Sequence, residues 1–220
     1  MNQEKLKQLT QRERKFSKTK VALLNALLDE LETKKLSDIK IKELAQKAEV
    51  SEPTFFNYFD SKQHMLVYFI QLWSIEMQIL ANEAKEEHQS YLDIIRTIFR
   101  KTNEEIVHHP QVMLEIISFH AKGDILPPHK MTDGEKWLFY PDVEGVETLE
   151  GMGLETLLPP LIENAIKNNE LSQECDVELI FLHCSALFFG MALLLLHKDP
   201  KAFPSLFETQ LDQLFKGLPC

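Results

Sequence analysis

The sequence predicts an all-α protein with a three-helix N-terminal domain, residues 1–65, and a larger helical C-terminal domain, residues 66–220. Three observations predict it. There are only seven glycines in 220 residues and few of the Val/Thr alternations that mark strands. Apolar residues recur at three- and four-residue steps along most of the chain. Charge also divides unevenly: residues 1–65 carry 13 Lys/Arg and 10 Asp/Glu, whereas residues 66–220 carry 11 and 24. The whole chain has a formal charge of −10. An electropositive front on an acidic body suits a protein that meets phosphates at one end only.

Each element has its own signal. Residues 1–16 are polar and basic and read as a flexible or partly helical arm. From Ser17 a helix begins with Val21, Leu24, Leu28 and Leu31 on one face. Lys34-Lys35 and Ser37-Asp38 break it. A second, short helix turns Ile41, Leu44, Ala45 and Ala48 inward, and Glu49-Val50-Ser51 makes a tight turn. Ser51 caps a third helix, Glu52 to Phe59, with Pro53 in the first turn where its missing N–H costs nothing. Ser61 caps a long fourth helix from Lys62 to about Lys85. Helices of about 90–107 and 111–121 follow, parted at His109-Pro110. Residues 122–153 hold five of the seven glycines and three prolines, so an irregular stretch lies there, either functional or hiding a short helix. Glu155–Asn168, with Pro159-Pro160 near its start, Asp176–His197 and Pro204–Lys216 complete the set.

Two short helices joined by a three-residue turn, the second one capped and polar on its outer side, describe a helix-turn-helix. The turn holds the second helix proud of the domain, where it can enter the ~12 Å major groove of DNA. Phe55 and Phe59, four apart, pack back on the domain, while Thr54, Phe56, Asn57 and Tyr58 project outward.

The run from Ile41 to Lys62, with Leu44-Ala45, Ala48-Glu49-Val50-Ser51, Thr54-Phe55-Phe56-Asn57-Tyr58-Phe59 and Ser61-Lys62, resembles the DNA-binding signature of the TetR (tetracycline-repressor-like) family. The resemblance covers about 50 residues, from Ser17 to Met65. It implies that Thr54, Phe56 and Asn57 face base edges or the sugar-phosphate wall, that Tyr58 donates its hydroxyl to a phosphate, and that Lys62 pairs with another. Ser51 and Lys40 are further phosphate candidates. Three departures stand out: Lys35 and Glu49 occupy positions where the family has glycine, and Ile39 one where threonine is common. Phe56 also replaces a tyrosine.

The resemblance further implies a dimer that binds double-stranded operator DNA and a small-molecule pocket in the C-terminal body. For the dimer the residues themselves speak: 179–196 are apolar nearly all round, so this helix is buried on several faces or lies in a membrane. His183 and Ser185 within it, Asp176 and Glu178 at its start, and the lack of a flanking positive cluster favour burial. Phe181, Phe188, Leu206, Leu211, Leu214 and Phe215 are the expected contacts of a four-helix dimer interface. For the pocket, Trp73, Met77, Phe99, Met113, Phe119, Trp137, Phe139 and Tyr140 are bulky candidates that also read as ordinary core, and His120 would supply a polar contact. Such a lining suits an apolar or aromatic ligand.

Other chemistry finds no foothold. No HExxH, CxxC, GxSxG or phosphate-cradling glycine loop occurs, which argues against an enzyme, a metal site or a cofactor. Cys175, Cys184 and Cys220 fit a reducing cytoplasm better than a disulfide framework. The sequence leaves two rivals open. One is a similar DNA binder controlled by a protein partner; the other is a helical ligand-binding or membrane-associated protein whose helix-turn-helix does nothing.

Overall fold

The computed structural model describes residues 2–123, 126–128, 130–196 and 203–217. Among them the secondary structure is helical, with no strand: α1 (Asn2–Gln8), α2 (Gln11–Leu31), α3 (Ile41–Lys47), α4 (Glu52–Phe55), α5 (Lys62–Glu86), α6 (Tyr91–His108), α7 (Pro110–Ala121), α8 (Asp133–Phe139), a 3-10 turn at Val146–Thr148, α9 (Leu154–Lys167), α10 (Val177–Leu195) and α11 (Phe203–Gly217). The expected end of α10 at His197, and Cys220, lie outside the described residues.

Two compact units make up the chain. The first joins Met1–Ile75 to Phe119–Gly151; the second joins Glu76–Ser118 to Met152–Cys220. Compactness therefore does not follow one cut at residue 65, because the stretch read as irregular folds onto the N-terminal helices.

In the first unit, α2 starts six residues before Ser17. Thr10 opens it with a capping box: its hydroxyl accepts from the Glu13 N–H, and Glu13 reaches back to Thr10. The basic arm is thus largely helical. The buried stripe of α2 is also rotated from the expected one. Lys20, Leu23, Leu24, Leu27 and Leu31 form its centre, and Val21 and Leu28 sit half-buried at its edge. A lysine in the middle of that stripe needs a partner, and α8 provides it. Lys20 Nζ lies 2.6 Å from Glu135 Oε1, with the two side chains 2% and 0% exposed. Tyr68 donates its hydroxyl to the same oxygen at 2.8 Å. The other oxygen of Glu135 accepts from Thr132 N–H and Oγ1 at 2.8 and 2.7 Å, completing a second capping box. The ammonium lies 4.2 Å from the centre of the Tyr68 ring. Burial alone would raise the Glu135 carboxyl, but Lys20 and the Thr132 donors outweigh it and hold it below the usual carboxylate range.

Residues 132–151 are strapped down elsewhere too. Glu147 accepts from Lys5 and, at 3.1 Å, from the Trp137 indole N–H. Lys136 donates to the carbonyls of Glu147 and Leu149, and the Tyr140 hydroxyl donates to the Leu72 carbonyl at 2.7 Å. Gly134 permits close approach, since a Cβ there would meet Leu9 Cδ1 at 2.8 Å. At Gly151 a Cβ would collide with the Gln71 carbonyl.

In the second unit α6 packs on α9 and α11, and α10 packs on both of these. Phe99 stacks against Phe188 and Phe207 at 5.6 and 5.3 Å between ring centres. The Glu170 carboxylate accepts from Tyr91 and Leu92 N–H at the head of α6, both at 2.9 Å, where a negative charge is favoured. Because α9 begins at Leu154, Pro159-Pro160 fall in its second turn rather than at its start. The carbonyls they leave unpaired belong to Glu155 and Thr156, which are exposed to water. Cys184 is a buried free thiol, pushed up to about 12 by burial. Cys175, against expectation, is disulfide-bonded.

By length and composition α10 could cross a membrane, and 22% of its Val177–Leu194 span is buried. Its covered side carries Ile180, Cys184, Phe188 and Ala192, and its bare side Leu179, Leu182, His183, Ala186 and Leu193. Of the six expected dimer contacts, Phe188, Leu211 and Phe215 lie in the protomer's own core, 6%, 1% and 9% exposed. A helix apolar all round gives no periodicity from which to choose its outer side, and Phe99 claims Phe188. Phe181 and Leu214 are half-buried, and Leu206 is exposed.

Two predictions follow from the strap. Lys20→Met leaves the Glu135 carboxylate buried without its counter-charge and should cost about 3–5 kcal/mol. Lys20→Met/Glu135→Gln, which keeps an acceptor for Thr132, should recover most of that loss in urea unfolding; equal losses would deny the coupling. Glu147, lowered to about 2 by Lys5 and then Trp137, stabilises the fold above the unfolded carboxyl value of about 4.3. Stability should therefore fall as pH drops from there toward 2, and less steeply in Glu147→Gln, as read from urea midpoints at pH 7, 4 and 3.

Candidate nucleic-acid interface

The chain from Ile41 to Phe59 forms the expected helix-turn-helix. α3 ends in a Schellman motif: Val50 N–H reaches the Ala45 carbonyl at 2.9 Å and Glu49 N–H the Gln46 carbonyl at 3.1 Å. Glu49 occupies the left-handed position with φ 56°, where the absence of glycine carries a real cost. Lys35, the other replaced glycine, is not among the left-handed residues, so that departure adds no such strain.

Ser51 caps α4 as expected, its Oγ accepting from Thr54 N–H at 3.3 Å and lying 2.6 Å from Thr54 Oγ1. The regular helix stops at Phe55, four residues short of expectation. Beyond it Asn57 and Tyr58 bond back to Thr54 and Phe55 three residues away, a tighter winding. Phe55 and Phe59 are buried, at 0% and 1% exposure, and anchor the segment with ring centres 6.2 Å apart. Phe59 also meets Tyr68 at 5.5 Å.

Those anchors leave the outer side to Lys40, Ser51, Phe56 and Asn57, all exposed, with Thr54 half-covered. Phe56 is 51% exposed, a large apolar ring offered to the surroundings. Tyr58 is half-buried and stacks on Phe16 of α2 at 4.8 Å. Lys62 donates to the carbonyls of Leu36 and Ile39, closing the loop after α2, so its ammonium already has work within the chain. Glu30 braces α3 against α2 by pairing with Lys34 and Lys47, both at 2.6 Å.

The residues proposed for a pocket separate between the units. Met77, Phe99 and Met113 belong to the core of the second. Trp73, Phe119, His120, Trp137, Phe139 and Tyr140 belong to the first, where Trp137 and Tyr140 hold the strap and Phe139 packs on Tyr68 at 6.4 Å. Sequence reasoning missed Lys20, Glu135 and Asn103, a buried carboxamide of the second unit. The signal for Glu135 was legible as Thr132-x-x-Glu135; Lys20 read as one more charge of the electropositive front, and Asn103 as one polar position among many.

A short capped helix on a three-helix domain, with polar and aromatic side chains on its free side, is the geometry of a helix-turn-helix. Residues 23–69, which hold the helix-turn-helix, match the family model of bacterial regulatory proteins, tetR family. No curated protein sequence matches the chain. Among solved structures it is similar to Thermus thermophilus FadR, a TetR-family transcriptional repressor in complex with lauroyl-CoA (16% identity, 91% of this chain and 95% of that one, TM-score 0.67). It is also similar to Bacillus subtilis FadR in complex with stearoyl-CoA (12%, 90% and 98%, 0.63). A TetR-family transcriptional regulator from Syntrophomonas wolfei aligns comparably (16%, 91% and 96%, 0.65).

The strained turn yields a prediction. Glu49→Gly should stabilise the protein by about 0.5–1 kcal/mol, relief of the left-handed strain outweighing the added freedom of the unfolded chain. Thermal melting would show it, and a lowered midpoint would deny the strain.

Proposed function

We propose that this protein is a dimeric repressor that reads a near-palindromic operator and is released from it by a small apolar effector. The observation that carries the reading is the outward side of the helix-turn-helix, where exposed Phe56, Asn57, Ser51 and Lys40 surround a segment anchored by Phe55 and Phe59. In this reading residues 1–65 do the contacting and residues 66–220 bind effector and dimerise. Thr54, Phe56 and Asn57 meet base edges; Lys40, Ser51 and Tyr58 meet phosphates, and Lys62 approaches one while holding its loop.

Dimerisation uses the bare side of α10. Leu179, Leu182 and Leu193 are 50%, 53% and 54% exposed in the single chain, as is Leu206 of α11 at 43%. A row of exposed leucines along one helix side calls for a cover, and a second copy related by a two-fold axis would provide it while spacing two reading heads for a palindrome. The effector class we assign is a long-chain acyl thioester, supported by the lauroyl-CoA and stearoyl-CoA held by two similar structures and by the apolar core around Phe99. The protein acts in the cytoplasm, where operator and thioester meet. Binding shifts the population toward a form whose heads no longer match the operator.

Selection from a random duplex pool, followed by gel shifts at two salt concentrations, tests the DNA reading. A palindrome should be enriched, and Phe56→Ala or Asn57→Ala should weaken binding about tenfold or more, the effect of losing a base contact, without lowering the melting temperature. Weak, sequence-blind binding that vanishes with salt would sink it.

A further inference from the structure

The core of the second unit is apolar apart from one place. Among its described residues, the buried polar side chains are the neighbours Thr102 and Asn103 on α6, and none that is buried carries a charge. Thr102 is satisfied: its hydroxyl donates to the Ile98 carbonyl at 2.8 Å and lies 3.8 Å from Met77 Sδ. Asn103 is not. Its side chain is 1% exposed, and both Oδ1 and Nδ2 are buried without a hydrogen-bond partner. Ser185 Oγ shares that condition, but a helical serine can turn to the carbonyl four residues back. A carboxamide has no such local remedy, and leaving both its donor and its acceptor dry is among the costliest arrangements a core can hold.

Asn103 lies one helical turn after Phe99, on the same inward side of α6. Phe99 there meets Phe188 of α10 and Phe207 of α11. A carboxamide one turn from Phe99 offers N–H donors and a carbonyl acceptor in apolar surroundings. An ionised ligand group in that place would find no buried counter-charge and would be strongly disfavoured. A neutral ligand on an apolar chain would instead satisfy the carboxamide, its carbonyl accepting from Nδ2 and an amide N–H donating to Oδ1, and bury its own chain.

Building on the acyl-effector reading above, we infer that Asn103 is the polar anchor of the effector site and selects a neutral carbonyl or amide over a carboxylate. The thioester and pantetheine amides of an acyl-CoA meet that requirement, with the phosphates left outside the core. A free fatty acid does not. The orphaned carboxamide is then a pre-set recognition group whose cost is relieved on binding.

The test uses the full-length protein, its Asn103→Leu variant and three probes: lauroyl-CoA, the S-lauroyl thioester of N-acetylcysteamine, and laurate. Leucine keeps the branched heavy-atom skeleton of asparagine and needs no partner, so the variant should melt at or above the wild-type temperature without ligand. Wild type should bind both thioesters and bind laurate at least tenfold more weakly, about the discrimination one buried hydrogen-bonding group gives. The variant should lose at least tenfold toward both thioesters. A clear drop in its melting temperature would mean that the carboxamide holds the core, and would overturn the inference. So would unchanged thioester affinity in the variant, or equal wild-type affinity for laurate. Wild type that binds operator but none of the three probes would remove the acyl reading itself, and this inference with it.

Discussion

The buried pairing of Lys20 with Glu135 is the constraint around which the first unit is organised. Lysine and glutamate at 2% and 0% exposure are tolerable only because each is the other's counter-charge and the remaining hydrogen-bonding capacity is taken up by Tyr68 and Thr132. That requirement fixes the rotation of α2, which in turn sets where Phe16 meets Tyr58 and where Lys20 faces Phe59 and Tyr68. The aromatic anchors of the reading segment therefore rest on a polar contact made with a stretch that looks, on first reading, like a loop.

The helix-turn-helix shows a different economy of means. Its precision comes from backbone closures: a Schellman turn after α3, a serine cap before α4, and tighter three-residue bonds from Thr54 onward. The same closure ends α5 at His88 and α9 at Asn169, each left-handed with the matching pair of bonds. Glu49 keeps this geometry despite having a side chain, which indicates how strongly the neighbouring packing of Leu44, Ala45 and Phe55 determines the turn.

How much of this was legible in the sequence varies with the range of the interaction. Local signals were read correctly: Ser51 and Ser61 as caps, Phe55 and Phe59 inward, α3 and the long α5. Where a helix is apolar on every side, as α10 is, periodicity carries no direction and does not show that Phe188 faces the core; on the amphipathic α11 the apolar side of Leu211 and Phe215 is legible, but not that the protomer's own core claims it. Interactions between distant segments left almost no trace. A lysine in a basic N-terminal stretch looks solvated until its carboxylate is known, and that carboxylate lies in a stretch without hydrophobic rhythm. The rotated stripe of α2 and the two-part first unit both escaped sequence reading for this one reason.

A unit assembled from both ends of the first 151 residues has a history that its final geometry conceals. Lys5 and Glu147 are 142 residues apart, which at typical bacterial synthesis rates is roughly 7–30 s of translation. During that interval α2 emerges with an apolar stripe and a lysine that has nothing to neutralise it. The strap arrives last and closes the structure. Until residues 132–151 have been made, Lys5 and Lys20 lack the carboxylates that neutralise them in the finished unit.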